Sequence, residues 1–528
     1  MKSKIYNIII VLLLSVALTS CHEESDVLTA YDFNDYISFN EANKSFAGKF
    51  KVAWNGLNQY YALWDYEAKQ GLDWDATYDE YLPKFAALDE RDEATNPVTD
   101  DELKQLMQGF LSPLHDGHFV MEWKNHHTGN FVRFSPSSQR NESRDDYEVA
   151  NMFGPVLDYY TNEAHGLIMT DEYGQLVAAE HSTLLNNLID NVLYKEGMCC
   201  EWLEEQMAEY EKKLLPTEHE VFLYNSMNSL LTALQKEDLS ISGYNALVIQ
   251  YAYLNVPGLE FINPEFNEKG VSIKSAILKG NTGGIAYLYF SDFTLSAYLD
   301  EKPEFNTYDA VTAAHVNEVK RVWQLWFDNI QEMHKNGTLE GVIIDMRGNG
   351  GGYDSDTQYV MGALMPSGNF QYGWARYKRG TGRYDYSPLM PQYTYTMEKE
   401  HEVINDKPIV VLTNCESMSM AEITALTAQC LENGTVIGKQ THGGMCLLNG
   451  NTMNSLNYAG IIGESGTTPV YGYVPFQVLF DLDKNIRESV GVIPDIEVAL
   501  DTRQYTAEAT MFKDSQLDRA IEFIKTGK

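Results

Sequence analysis

The C-terminal half of the sequence predicts a layered α/β fold with a mostly parallel β-sheet. Two short apolar runs, Val342–Ile344 and Ile409–Leu412, have the composition of fully buried strands. Apolar residues also recur at helical spacing from Val311 to Met333, and Gly337 follows as a helix terminator. Strands that alternate with helices favour parallel pairing, so we expect an α/β domain over residues 281–500.

The remaining elements of this half fit the same alternation. The segments are Ile285–Phe290 as a strand, Ile423–Leu431 as a helix before Gly434, Val436–Ile437 as the start of a strand, and an amphipathic helix within residues 501–528.

The N-terminal part predicts a helical bundle over residues 45–124. Three helical stripes are present, and the third has the best-defined start, because Thr99 and Glu102 form a capping-box pattern. A strand-like run follows it at Phe119, which places His118 in a helix-to-strand turn. Residues 125–280 show mainly helical stripes, such as the one from Leu184 to Val192, and no motif that carries chemistry.

The first residues predict export and lipid anchoring. Lys2 and Lys4 precede an apolar run that is too short to span a bilayer, and Leu18-Thr19-Ser20-Cys21 follows. This ending resembles the lipobox of bacterial lipoproteins, in which the cysteine is acylated; a plain signal peptide is the alternative. We therefore expect a signal peptide over residues 1–21, acylated Cys21, a linker over residues 22–44, and a place in the cell envelope, at the outer membrane. The acidic residues after Cys21 resemble the tag that sends some outer-membrane lipoproteins to the cell surface, but an acidic linker has the same composition. The sequence therefore allows both a periplasmic and a surface-exposed location.

The overall charge limits the partners. The formal net charge is −36, with 75 acidic and 39 basic residues. Such a chain repels nucleic acid and anionic lipid, so we expect neither of them as a partner. We expect the protein to contact the membrane only through its lipid anchor.

Two strand ends carry unusual sequences. After the strand at Val342, Gly348 and Gly350–Gly352 place four glycines within five residues, which lets the backbone turn tightly and expose N–H groups. This loop is not a dinucleotide-binding motif, because Tyr353 occupies a position that requires glycine. It is not a phosphate-binding P-loop either, because no Gly-Lys-Ser/Thr follows. After the strand at Ile409, Ser417 and Ser419 precede a helix, where a serine acts either as a nucleophile or as an ordinary N-cap.

Four segments together resemble one family, the tricorn and C-terminal-processing peptidases. They are Gly341–Gly352, Val411–Ile423, Ile437–Gly444 and Glu488–Asp495, in the family's order. The resemblance implies a crotonase/ClpP-like catalytic domain and a serine-type peptidase that cleaves peptide or protein substrates without a cofactor. It puts the nucleophile on Ser419 and the oxyanion donors on the N–H groups of Met420 and Gly351.

The general base is the point at which this chain departs from part of the family. Members with a Ser–Lys dyad carry lysine where this chain has Gly444. The tricorn-like branch instead uses a histidine from its helical domain, which corresponds to His118, and an acidic residue that corresponds to Glu488. Gly117 replaces the serine that often precedes that histidine, and His442 is the rival base.

Two other functions remain open at this stage. A peptide- or ligand-binding lipoprotein on the same fold would need no base, and a nutrient-capturing lipoprotein of helical repeats would suit the length but not the glycine-rich strand end. Metal binding is not expected, because the paired histidines at His115/His118 and His126/His127 lack accompanying carboxylates. The calcium-like run at Asp481 lacks the required glycine, because Ile486 occupies that position.

Overall fold

The structure is a computed structural model. It describes residues 42–136, 273–300, 310–366, 370–379, 382–395, 400–446, 461–499 and 515–528, with the short stretches 167–170, 176–178, 207–208, 212, 260–261 and 397. Cys21 and the helical stripe at Leu184 lie outside these residues. Among the helices that are described, none combines the length and the apolar character that a bilayer span requires.

Residues 45–124, all of which the structure describes, contain four helices. They are α1 (Phe46–Tyr60), α2 (Trp64–Lys69), α3 (Trp74–Asp89) and α4 (Asp100–Leu111). Side-chain caps define their starts: Ser45 Oγ accepts the Gly48 N–H, and the predicted capping box of Thr99 and Glu102 is present. Their inward faces form an aromatic core that includes Phe50, Phe85 and Phe110.

A small antiparallel sheet completes this module, and half of it comes from the distant C-terminal part of the chain. Its order is β13-β14-β1-β2, with β1 (Val120–Lys124), β2 (Phe131–Phe134), β13 (Ile461–Ile462) and β14 (Val470–Tyr473). Val120 pairs with Tyr473, and Val470 and Val474 enter the aromatic core. The module is therefore more than the helical bundle that the sequence predicts.

The central sheet is parallel in one half and antiparallel in the other. Its order is β16-β12-β11-β8-β7-β6-β3-β4, and β5 pairs with β6. The strands are β3 (Leu167–Thr170), β4 (Leu176–Ala178), β5 (Glu260–Phe261), β6 (Ile273–Lys279), β7 (Gly284–Phe290), β8 (Leu339–Asp345), β11 (Ile409–Thr413), β12 (Gly434–Gly438) and β16 (Ile496–Glu497). The five strands from β16 to β7 pair in parallel. The prediction of a layered, mostly parallel sheet is confirmed for this half, and the antiparallel strands make the whole sheet mixed.

Helices and a hairpin surround this sheet. The helices are α5 (Ser296–Leu299), α6 (Ala310–Lys335), α7 (Thr357–Val360), α8 (Met420–Gln429) and α9 (Ser515–Thr526). A three-stranded sheet of β10 (Met390–Tyr393), β9 (Gln371–Tyr377) and β15 (Gln477–Phe480) lies beside them. Ile409 pairs with Val342, so β8 and β11 are parallel neighbours and the glycine-rich and serine-bearing strand ends lie side by side.

Candidate active site

Ser419 lies in a strained turn between β11 and α8. Its backbone has φ 57° and ψ −115°, a left-handed conformation that costs a non-glycine residue roughly 1–3 kcal/mol and that clusters at active sites. The Ser419 N–H donates to Gly444 O at 3.1 Å and to Glu422 Oε2 at 3.0 Å, and these bonds help to hold the strain. Ser419 is half-buried and stands at the N-terminus of α8, where the helix dipole favours negative charge.

Ser417 has a different environment in the same turn. Its side chain is fully buried, its hydroxyl donates to Met346 O at 2.7 Å, and it accepts the Asn414 N–H at 3.1 Å. A buried hydroxyl that both donates and accepts a hydrogen bond within the protein has a structural role. Of the two serines that the sequence left as candidates, Ser419 is therefore the one that a substrate can reach.

The glycine-rich loop packs directly on the nucleophile turn. Gly351 has φ +90°, and a Cβ on it would lie 2.6 Å from Ser419 Cβ and 2.9 Å from Met420 N, so only glycine fits there. The Met420 N–H has no acceptor among the described residues. The Gly351 N–H, in contrast, donates to Asn349 Oδ1 at 2.9 Å. Of the two predicted oxyanion donors, one is available in this conformation and the other is engaged.

His118 lies in the predicted turn between α4 and β1, and neighbouring carboxylates fix this turn. Asp116 Oδ1 accepts the N–H groups of His118 at 2.7 Å and Phe119 at 2.6 Å. Glu67 accepts the His115 N–H at 2.8 Å, and its other oxygen lies 2.7 Å from His115 Nδ1. The turn thus has a defined backbone before any substrate binds.

Two glycines bring the histidine turn to the nucleophile turn. A Cβ on Gly117 would lie 2.5 Å from Gly444 Cα and 2.7 Å from Gly443 O. Gly444 O in turn accepts the Ser419 N–H. Gly117 and Gly444 are the two positions at which the sequence departs from related peptidases, and here they contact each other. Their backbones approach so closely that position 117 has no room for a side chain. A lysine at position 444 would also meet Met418, whose Cε lies 2.8 Å from the Cβ position.

The surroundings keep His118 neutral. Burial lowers the pKa of His118 to about 3, and the neighbouring His442 lowers it in the same direction. His118 Nδ1 is buried without a hydrogen-bond partner, and no hydrogen bond joins His118 to Ser419 among the described residues. His442 is part of the same region, since its N–H donates to Ser417 O at 2.9 Å. A neutral imidazole is the form that can accept a proton.

Glu488 is buried in the site but contacts the backbone rather than His118. Its carboxylate accepts the N–H groups of Gly117 at 2.6 Å, Met445 at 2.8 Å and Cys446 at 2.8 Å. Burial raises its pKa above the ordinary value. In this conformation Glu488 joins the histidine turn to the segment after Gly444, and its correspondence to the acidic residue of the tricorn-type site stays a prediction.

Asp116, Cys446 and Glu488 form a buried group whose possible ligand atoms lie within 4.8 Å of one another. Both oxygens of Glu488 already accept N–H donors, and Asp116 Oδ1 accepts two more. These carboxylates organise the polypeptide backbone, and we assign no metal to them.

Glu422 is a site residue to which sequence reasoning gave no role. Its carboxylate accepts the Thr441 hydroxyl at 2.5 Å and the N–H groups of Gly443 at 2.7 Å, Gly444 at 2.8 Å and Ser419 at 3.0 Å. Burial raises its pKa to about 7, and the charge of Glu488 acts in the same direction. The capping-box spacing of Ser419 and Glu422 is the signal that could have identified it.

Comparison with known proteins identifies the domain that contains this nucleophile turn. Residues 285–498 match the model of Peptidase family S41. This part of the chain is an S41 peptidase domain. The S41 domain contains Ser419, the glycine-rich loop and Glu488, while His118 comes from the N-terminal module. The prediction of the family is therefore confirmed.

Several solved structures are similar to part or most of this chain. Mature CPAF in complex with lactacystin is 10% identical with a TM-score of 0.47, covering 92% of this chain and 100% of its own. A protein from Parabacteroides merdae, classed provisionally as a peptidase, is 16% identical with a TM-score of 0.46, covering 92% and 98%. Tricorn protease is 14% identical with a TM-score of 0.27, covering 63% and 37%. The comparison with curated proteins finds no match.

Proposed function

We propose that this S41 peptidase hydrolyses peptide bonds through an acyl-enzyme on Ser419, with His118 as the general base. The observation that carries the proposal is the strained Ser419 turn, which faces Gly351 on one side and is joined through Gly444 to the His118 turn on the other. Strain that is held in place by several contacts at a strand-to-helix junction is typical of a nucleophile.

The proposed reaction uses the serine, the histidine and one backbone donor. His118 takes the proton from the Ser419 hydroxyl, and the oxygen attacks the peptide carbonyl. The negative charge on the carbonyl oxygen is stabilised by the Met420 N–H and the α8 dipole; one such donor contributes roughly 3 kcal/mol. His118 then protonates the leaving amine, the peptide bond breaks, and water hydrolyses the acyl-enzyme by the same route in reverse.

Labelling with a fluorophosphonate probe tests the nucleophile. We expect the probe to modify Ser419 and not Ser417, as mapped by mass spectrometry of the labelled peptide. Ser419→Ala should abolish labelling and reduce turnover by several orders of magnitude. Labelling of another serine would assign the nucleophile there, whereas an unlabelled protein that binds peptides without cleaving them would favour the binding-protein alternative.

Paired histidine variants test the base. His118→Ala should reduce kcat by several orders of magnitude, and His442→Ala should reduce it much less. Both should keep the circular dichroism spectrum of the wild type. The opposite ranking would assign the base to His442.

We also propose that Cys21 carries a lipid and anchors the peptidase in the cell envelope. The support is the export-type sequence that ends in Leu18-Thr19-Ser20-Cys21. Cys21→Ala should release the protein from the membrane fraction while leaving its activity in solution unchanged. A wild type that is recovered without a lipid contradicts this proposal and leaves the one on Ser419 intact.

A further inference from the structure

Asn349 is a buried amide at the centre of the glycine-rich loop. Its side chain is completely inaccessible to solvent, and both ends of it make hydrogen bonds. The Nδ2 group donates to Phe290 O, at the end of β7, at 2.8 Å. The Oδ1 atom accepts the Gly351 N–H at 2.9 Å. Neither bond was anticipated from the glycine pattern, which concerns backbone conformation alone.

The backbone of Asn349 makes two further contacts. Its carbonyl accepts the N–H of Met418, the residue before the nucleophile, at 3.0 Å, and its N–H donates to Met346 O at 3.1 Å. A single residue thus joins the end of β7, the segment after β8 and the turn after β11. These are three neighbouring strand ends of the parallel half of the sheet.

The position of this residue relates it to the chemistry. Gly351 contacts Ser419 and the Met420 N–H, so the distance between the loop and the nucleophile depends on where Asn349 holds Gly351. Reacting groups must be held to within about 0.5 Å of their productive geometry, and a displacement of about 1 Å can reduce the rate about 100-fold.

We propose that Asn349 is a positioning residue of the peptidase reaction, which sets the glycine-rich loop against the Ser419 turn through its side-chain bonds to Phe290 and Gly351. The proposal rests on the proposed function of Ser419. Asn349 does not touch the substrate; it determines where the Met420 N–H and the loop backbone stand relative to the carbonyl under attack.

Kinetics with a matched control test this role. Asn349→Leu keeps the branched shape and the number of side-chain heavy atoms and removes both side-chain bonds, while Asn349→Asp keeps an acceptor for the Gly351 N–H. We expect kcat to fall about 100-fold in the first and about 10-fold in the second, with KM changed less than about threefold in both. Asn125 is the control, because it is equally buried and its amide donates to Val98 O, but it lies in the N-terminal module. Asn125→Leu should lower the melting temperature and leave kcat unchanged.

Hydrogen exchange provides a second readout that needs no turnover. In Asn349→Leu and Asn349→Asp, the amides of residues 348–353 and 416–420 should exchange faster than in the wild type, while those of β8 keep their protection. If wild-type protein neither cleaves peptides nor reacts with the probe, the proposed function fails, and exchange still decides whether Asn349 positions the loop. Unchanged exchange in the two segments, or unchanged kcat with only a lower melting temperature, overturns the proposal.

Discussion

The turn that carries Ser419 and the turn that carries His118 are held by contacts of different range. Ser419 is fixed in part by a neighbour on its own helix, Glu422, three residues away. The His118 turn depends on Glu488, which accepts the Gly117 N–H across 371 residues of sequence, and on Gly444, against which Gly117 packs. The nucleophile turn is held by segments of the S41 domain, including its own helix, the glycine-rich loop and Gly444, whereas the contacts that place the histidine turn against it join two modules.

This difference separates two requirements of the site. The strained backbone of Ser419 is held by contacts within one domain, to Gly444 O and to Glu422. A general base from another module can be brought close only by long-range contacts. Variants that loosen the docking should therefore reduce catalysis without relaxing the serine, and variants of Glu422 should affect both turns.

Of the variants that separate the two turns, Gly117→Ala should have the largest effect. The added Cβ would lie 2.5 Å from Gly444 Cα, so the histidine turn must move away from the nucleophile turn. A displacement of this size should reduce kcat/KM by about 100- to 1,000-fold in steady-state assays. Exchange of the amides of residues 416–422 should stay as in the wild type.

Gly109→Ala in α4 is the matched control. Its Cβ would meet only the end of the Tyr81 side chain, at 2.8 Å, and alanine favours a helix. We expect nearly wild-type kcat/KM. If Gly117→Ala also accelerated exchange at residues 416–422, the two turns would not be independent.

Glu422→Gln should have the next largest effect. The carboxylate of Glu422 accepts four hydrogen bonds, and an amide accepts fewer because it has only one oxygen. Each buried donor that loses its acceptor costs about 1–3 kcal/mol. We expect a lower free energy of unfolding in urea, about a 10-fold lower kcat, and faster exchange at both residues 416–422 and 441–444. Glu416→Gln changes a carboxylate in the same turn that makes no hydrogen bond among the described residues, and it should have little effect. Equal effects of the two variants would contradict the role of Glu422.

Stability should also depend on pH through the titration of Glu422. Burial raises the pKa of Glu422 to about 7, so the folded protein holds this proton more tightly than the unfolded chain, where the pKa is near 4.5. The contribution of this group to stability is therefore complete below pH 4.5 and is lost as the pH rises through about 7. The difference in the free energy of unfolding between wild type and Glu422→Gln should fall by a few kcal/mol, at most roughly 3, across this range. A difference that stays constant with pH would show that the carboxyl titrates normally.

Much of the fold and part of the site follow from short stretches of sequence. The apolar runs at Val342 and Ile409 become adjacent parallel strands, the capping box of Thr99 and Glu102 starts α4, and His118 lies in a helix-to-strand turn. Each depends on residues within a few positions of one another, because periodicity and capping are local properties of the chain.

Contacts between distant segments were decided only in the tertiary structure. The sequence determined that Ser419 and the glycine-rich loop each follow a strand of a parallel sheet, whose carboxyl ends lie at one edge. It did not determine that β14 pairs with β1, that Gly117 packs on Gly444, or that Glu488 accepts backbone N–H groups instead of contacting the histidine. Those features arise when the N-terminal module and the S41 domain bury a common boundary, and no local pattern specifies which segments meet there.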